Sequence, residues 1–189
     1  MMKEFMGGGS ITDVCFGITG DFAFISESIG VIRTYQFQPN KGVYTRILTT
    51  KVGTENKSIN SIEYKGWYLR KLFIAELLVS SSDGKIYLYG VDNLGNLTLK
   101  RDIKNDCSKN KIRAHFCPLI PTDKDGACIV SGSEDMSLYI FDITKPNAPP
   151  INQLMGHSAP VIDVAWNYDE SLLGSCDSDG TVIFWLRSK

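Results

Sequence analysis

The sequence predicts an all-β protein made of antiparallel sheets. Apolar residues recur at period two, in runs of about 5–8 closed by Gly, Asp, Asn or Ser. No window of helical length keeps a 3.6-residue period. The 17 glycines, 8 tyrosines and 9 phenylalanines favour turns and aromatic strand positions over a helical bundle.

The strands follow in order. The first unit reads Ile11–Phe16, Phe22–Ser26, Val31–Tyr35 and Val43–Thr50. The second reads Ile59–Tyr64, Leu77–Ser81, Lys85–Tyr89 and Leu97–Ile103. The third reads Ile112–Cys117, Ala127–Ser131, Ser137–Phe141 and Ile151–Met155. The fourth reads Val161–Trp166, Leu172–Cys176 and Thr181–Trp185. In each unit a tight turn precedes the third strand, and an aromatic follows six residues later. Tyr35 follows Ile29-Gly30, Tyr89 follows Asp83-Gly84, Phe141 follows Asp135, and Trp185 follows Asp179-Gly180. Asp83, Tyr89, Asp135 and Phe141 are thus the turn and closing positions of the middle units.

Four strands repeating every ~40–50 residues are the footprint of β-propeller blades. A four-stranded sheet buries neither face alone, whereas radial stacking buries both. That explains near-continuous apolar runs such as Val182-Ile183-Phe184-Trp185. The expected organisation is a lead-in over 1–9 and a partial propeller over 10–187, with blades near 10–51, 58–104, 111–155 and 160–187. Only Leu186–Lys189 follow Trp185, so the last blade lacks its outer strand. Closed propellers have ~4–8 blades. The chain is therefore expected to be an incomplete, half propeller that pairs with its missing half or with a second copy.

Composition removes several function classes. The chain has 189 residues, 20 basic and 21 acidic side chains and a net charge of −1, the size of one domain. Such a balance gives no long-range field for nucleic acid or an anionic membrane. Met1–Gly9 has no apolar core of a secretory signal. The most apolar stretch, Leu72–Val79, is interrupted by Glu76, far from the roughly 20 apolar residues of a membrane helix. Cys15, Cys107, Cys117, Cys128 and Cys176 are odd in number and lack CxxC spacing, which reads as free thiols in a reducing compartment. The sequons at Asn56 and Asn96 read as polar loop residues.

The last unit carries a resemblance. Gly156-His157 opens it, Val161–Trp166 and Ser171–Asp177 follow, and Asp179-Gly180 leads to the closing Trp185. This resembles a WD-repeat unit, with Phe141-Asp142 as a variant of the closing dipeptide and Tyr89-Gly90 and Tyr35-Gln36 as degenerate ones. Gly7–Phe16, Phe116–Leu119, Gly126–Met136 and Met155–Thr181 extend the resemblance over nearly the whole chain. It implies a propeller without catalysis, a largely nuclear address and work as an interaction platform. It also implies a structural hydrogen-bond network of His157 before the first strand, Ser175 on the second, Asp179 in the turn and Trp185 on the third. A buried indole N–H needs an acceptor such as a hydroxyl, and the hydroxyl can in turn donate to imidazole. The same residue types could form a nucleophilic triad, but Ser175 has no strained elbow around it.

Other candidates have plainer readings. His115, between Ala114 and Phe116, reads as a core or interblade histidine. No His, Cys, Asp and Glu set has zinc spacing, and Gly7–Ser10 lacks the Lys-Ser/Thr of a phosphate loop. No metal or cofactor is expected. Asp177 and Asp179 read as turn formers rather than an acid/base pair. Residues 100–113 hold six basic residues against two acidic. Lys100, Arg101, Lys109, Lys111 and Arg113 could meet an acidic or nucleic-acid partner, with a solvated edge as the default. Trp67 and Tyr68, read as an inter-strand loop beside cations, could contact a protein partner. The expected function is a non-catalytic scaffold for protein–protein interaction in nuclear regulation. A nucleic-acid module using 100–113 is the alternative, and a propeller enzyme is disfavoured.

Overall fold

The computed structural model describes residues 8–53, 56–69, 72–105, 109–118, 127–145 and 148–187. Among these residues the chain forms four antiparallel sheets and no helix. The first is β1 (Ile11–Phe16), β2 (Phe22–Glu27), β3 (Val31–Gln38) and β4 (Val43–Lys51). The second is β5 (Ile59–Leu69), β6 (Leu72–Ser81), β7 (Lys85–Val91) and β8 (Leu97–Lys104). The third is β9 (Ala114–Phe116), β10 (Cys128–Gly132), β11 (Ser137–Asp142) and β12 (Asn152–Met155). The fourth is β13 (Val161–Trp166), β14 (Leu172–Asp177) and β15 (Val182–Leu186). Within each sheet, strands that follow one another in the chain lie side by side and antiparallel.

The chain divides into two compact units. One falls within Met1–Asp83 and Tyr87–Asp102, the other within Gly84–Ile86 and Ile103–Lys189. In the first unit the core joins Phe24 and Ile32 to Ile62, Leu77, Val79, Tyr87 and Tyr89. The Phe24 and Tyr64 rings stack there, with centroids 5.8 Å apart. In the second unit Val130 and Leu138 pack against Val161, Val164 and Leu173. Buried apolar area of this kind is the main favourable term in folding. Backbone bonds also tie the third sheet to the fourth: Val161 N–H donates to Ser133 O at 3.0 Å and Arg113 N–H to Ile162 O at 3.0 Å.

One turn geometry recurs. Gly30, Gly84, Met136 and Gly180 precede the third strands at φ 73°, 82°, 68° and 89°. Glycine enters this left-handed region freely, whereas Met136 does not. A second shared device is a register shift near the start of the first strand, between Ile11 and Asp13, Ile59 and Ser61, and Val161 and Asp163.

Two expectations change. Tyr64–Lys71 was expected to be a loop, but β5 runs on through Trp67 and Tyr68, which pair with Ile74 and Phe73 of β6. The physical reason is a long hairpin whose ladder continues past Gly66; the Phe73 ring lies where a side chain at Gly66 would go. The side chains of Trp67 and Tyr68 lie outside the description. The strand expected over 112–117 shortens to Ala114–Phe116, because Arg113 spends its N–H on the fourth sheet. Cys15, Cys117, Cys128 and Cys176 form no disulfide with one another, and Cys107 lies outside the described residues. Burial pushes the Cys15 thiol up to about 12 and Cys128 up to about 11, which keeps both as inert thiols.

Candidate functional site

The fourth sheet places its polar residues by strand alternation. Leu173, Ser175 and Asp177 share the buried face of β14. On β15, Val182, Phe184 and Leu186 face solvent while Ile183 and Trp185 turn inward. His157 follows β12, with its side chain fully buried. These placements bring His157, Ser175 and Trp185 together. The Trp185 Nε1–H donates to Ser175 Oγ at 2.8 Å. Ser175 Oγ lies 2.7 Å from His157 Nε2, and His157 Nδ1 lies 2.9 Å from Asp177 Oδ2. With the indole donating, Ser175 O–H donates to Nε2 and Nδ1–H to the carboxylate. The network thereby assigns one tautomer to the imidazole.

The carboxylate is Asp177, not Asp179. Asp179 stands at the exposed tip of the turn, where its N–H donates to Asp177 Oδ1 at 3.1 Å. Asp177 also accepts from Thr181 N–H at 2.8 Å. These two amides make Asp177 the cap of the turn as well as the end of the chain of bonds. The Thr181 N–H first, then His157, hold its carboxyl below the usual carboxylate range. The Ser–His–Asp distances are those of a nucleophilic triad. The surroundings are not: the set is buried, and an indole occupies the serine oxygen.

Each of the other sheets locks the same turn differently. In the first, Glu27 accepts from Arg33 and from the Gly8 and Gly9 amides, the latter at 3.1 Å each. In the second and third, Tyr87 Oη donates to Asp83 and Tyr139 Oη to Asp135, each at 2.5 Å. Burial first, and the Asp83 carboxylate next, push the Tyr87 phenol up. The closing aromatics Tyr89 and Phe141 are buried. Sheet three also has a counterpart to His157 that the spacing hid. Asn105 Nδ2 donates to Ser131 Oγ and to Gly132 O, both at 3.0 Å. Ser131 stands four residues before Asp135 as Ser175 does before Asp179.

His115 bridges strands of two sheets, its Nε2 2.9 Å from Asp163 Oδ1, with Arg113 Nη1 3.5 Å from the other oxygen. Asp163 is half-buried. Burial works to raise its carboxyl, but the His115 bond, the Val164 N–H and the Arg113 charge hold it below the ordinary range. Two cations of the basic stretch, Lys100 and Arg113, face acids, and Glu134 binds its backbone. Lys100 Nζ sits 2.6 Å from Glu76, and Glu134 accepts the Lys109 and Asn110 amides at 2.9 and 2.6 Å. Lys111 is exposed and Arg101 half-buried. Among the described residues no group of three or more His, Cys, Asp or Glu could hold a metal ion.

Comparison with known proteins adds a repeat and several relatives. The model of the WD domain, G-beta repeat matches residues 148–185. Over 95% of its length the chain is 27% identical to Denticleless protein homolog B of Xenopus laevis. It is 25% identical over 57% of its length to protein HIRA of Dictyostelium discoideum, covering 11% of that protein. It is 28% identical over 68% of its length to probable cytosolic iron-sulfur protein assembly protein 1 of Scheffersomyces stipitis, covering 40% of that protein. The chain spans 25% of the length of the Xenopus protein. Residues 148–185 match the WD40 repeat model, and the all-β chain of four antiparallel sheets, three of them four-stranded and one three-stranded, has the sheet pattern of β-propeller blades.

Proposed function

We propose that the protein is a non-catalytic scaffold that binds other proteins, with work in nuclear regulation. The observation that carries the reading is the apolar row on β15: Val182, Phe184 and Leu186 are 58%, 74% and 83% exposed, a face that a further sheet or another protein would cover. A contiguous apolar row of this kind is characteristic of a protein-contact surface rather than a cleft for chemistry. The Ser175–His157–Asp177 set is buried and its serine oxygen is taken by the Trp185 indole, which suits a structural role, whereas a nucleophile must reach its substrate. The nuclear address rests on the sequence resemblance, whose stretches are similar to the C-terminal half of WD repeat-containing protein 13. The name of the iron–sulfur assembly relative supports a cytoplasmic pool as well.

The test is proximity labelling in living cells, comparing the wild-type chain with Phe184→Glu and Leu186→Glu. The expected result is a reproducible set of nuclear neighbours that both variants lose. Labelling no different from that of the unfused labelling enzyme rejects the scaffold reading.

A further inference from the structure

The second compact unit holds a half-open cavity of about 490 Å³ whose walls include Ile140, Leu154, Trp166, Glu170, Trp185 and Arg187. That size is within the range of pockets that take small ligands. Three features single it out. The Trp166 Nε1–H is buried and has no acceptor among the described residues. A buried donor without a partner weakens the fold unless something supplies an acceptor.

Glu170 is strained. It sits in the left-handed region at φ 55°, in a turn closed by its N–H on Asn167 O. The first sheet has the same turn, with Gly20 N–H on Gly17 O and glycine at φ 75°. A glutamate kept where glycine fits is the pattern of strain retained at a working site. The third feature is charge. Arg187 Nη1 lies 2.8 Å from Glu170 Oε2, so the pair presents no net charge.

We infer that this cavity binds an uncharged peptide segment of a partner protein, an inference that rests on the protein-binding reading above. A bulky apolar side chain packs against Ile140, Leu154 and the two indole rings. A backbone carbonyl beside it accepts from the Trp166 Nε1–H. The neutral Arg187–Glu170 pair favours a carbonyl over a carboxylate as that acceptor. The volume suits one large side chain with its flanking peptide units and is too small for a whole helix.

The experiment titrates the capped tripeptide Ac-Gly-Leu-Gly-NH2 into ¹⁵N-labelled protein and follows the indole N–H resonances. The free acid 4-methylpentanoate is the second arm. The Trp166 indole resonance should shift saturably with the tripeptide, and Trp166→Phe should weaken binding about tenfold. Glu170→Gln exposes the Arg187 charge and should move preference toward the acid. No saturable shift at millimolar tripeptide, an unchanged affinity in Trp166→Phe, or tighter wild-type binding of the acid overturns the inference. Loss of tripeptide binding with proximity labelling intact rejects the cavity alone. Absence of both rejects the protein-binding reading itself.

Discussion

The Trp185 indole N–H donates to Ser175 Oγ at 2.8 Å, and that one bond sets the direction of every other bond in the fourth sheet's buried chain. With the serine oxygen accepting from indole, its proton goes to His157 and the imidazole proton goes to Asp177. Trp185→Phe keeps an aromatic ring but removes the N–H donor and part of the indole's volume. It should cost about 1 kcal/mol, lowering the melting midpoint by about 2–4 °C. Ser175→Ala removes partners from both Trp185 and His157 and should cost about twice as much. Calorimetry of both single variants and the double variant checks this. Additive costs would show that the bonds are not coupled.

Met136 takes the left-handed conformation that Gly30, Gly84 and Gly180 take at the same turn. That conformation costs a side-chain-bearing residue roughly 1–2 kcal/mol, partly offset by the larger unfolded-state freedom of glycine. Met136 is 43% exposed, so little packing is lost on truncation. Met136→Gly should therefore raise the urea midpoint by the equivalent of about 0.5–1 kcal/mol. The reverse change, Gly180→Met, should lower it. A lower midpoint for Met136→Gly would mean the methionine side chain contributes more than its backbone costs.

Strand positions were legible because alternation fixes which residues face a core. The end of β14 was legible too, though the carboxylate was misplaced. Ser175 and Asp177 lie two apart on one strand and so face one way, whereas Asp179 lies beyond the strand, where parity no longer holds. Counting faces from Ser175 would have found Asp177. Trp67 and Tyr68 were hidden because Lys65-Gly66 interrupts the pattern, while the pairing that extends β5 is made by the opposite strand. Asn105 carried no sequence signal. Its contact with Ser131 depends on how the chain enters the third sheet, which no spacing encodes. The cavity beside Trp166 likewise arises from two sheets meeting.

Gly132 is a point of close approach. A Cβ there would lie 2.1 Å from Val161 O and 2.7 Å from Val161 C. Both are backbone atoms, held in place by the Val161 N–H bond to Ser133. Gly132→Ala must push the third and fourth sheets apart and should cost about 1–3 kcal/mol or more. Gly17→Ala is the control, since its nearest neighbours would sit at 3.7 Å. It should change the urea midpoint by less than about 0.5 kcal/mol equivalent. Equal effects from the two substitutions would place the sheets farther apart than described.

Acid should weaken the contact between His115 and Asp163. The Asp163 carboxyl is held below the ordinary carboxylate range when folded, by the His115 bond, the Val164 amide and Arg113 acting against burial. A carboxyl depressed in the folded state contributes stability that is full above its unfolded pKa of about 3.9. That contribution disappears as pH falls through the lower folded value. Asp163→Asn should therefore be less stable than wild type at pH 7, and the gap should narrow between about pH 5 and pH 2. Urea midpoints at pH 7, 4 and 3 measure the gap. One that stays constant across that range would show that Asp163 acts through shape and the Val164 amide rather than through its charge.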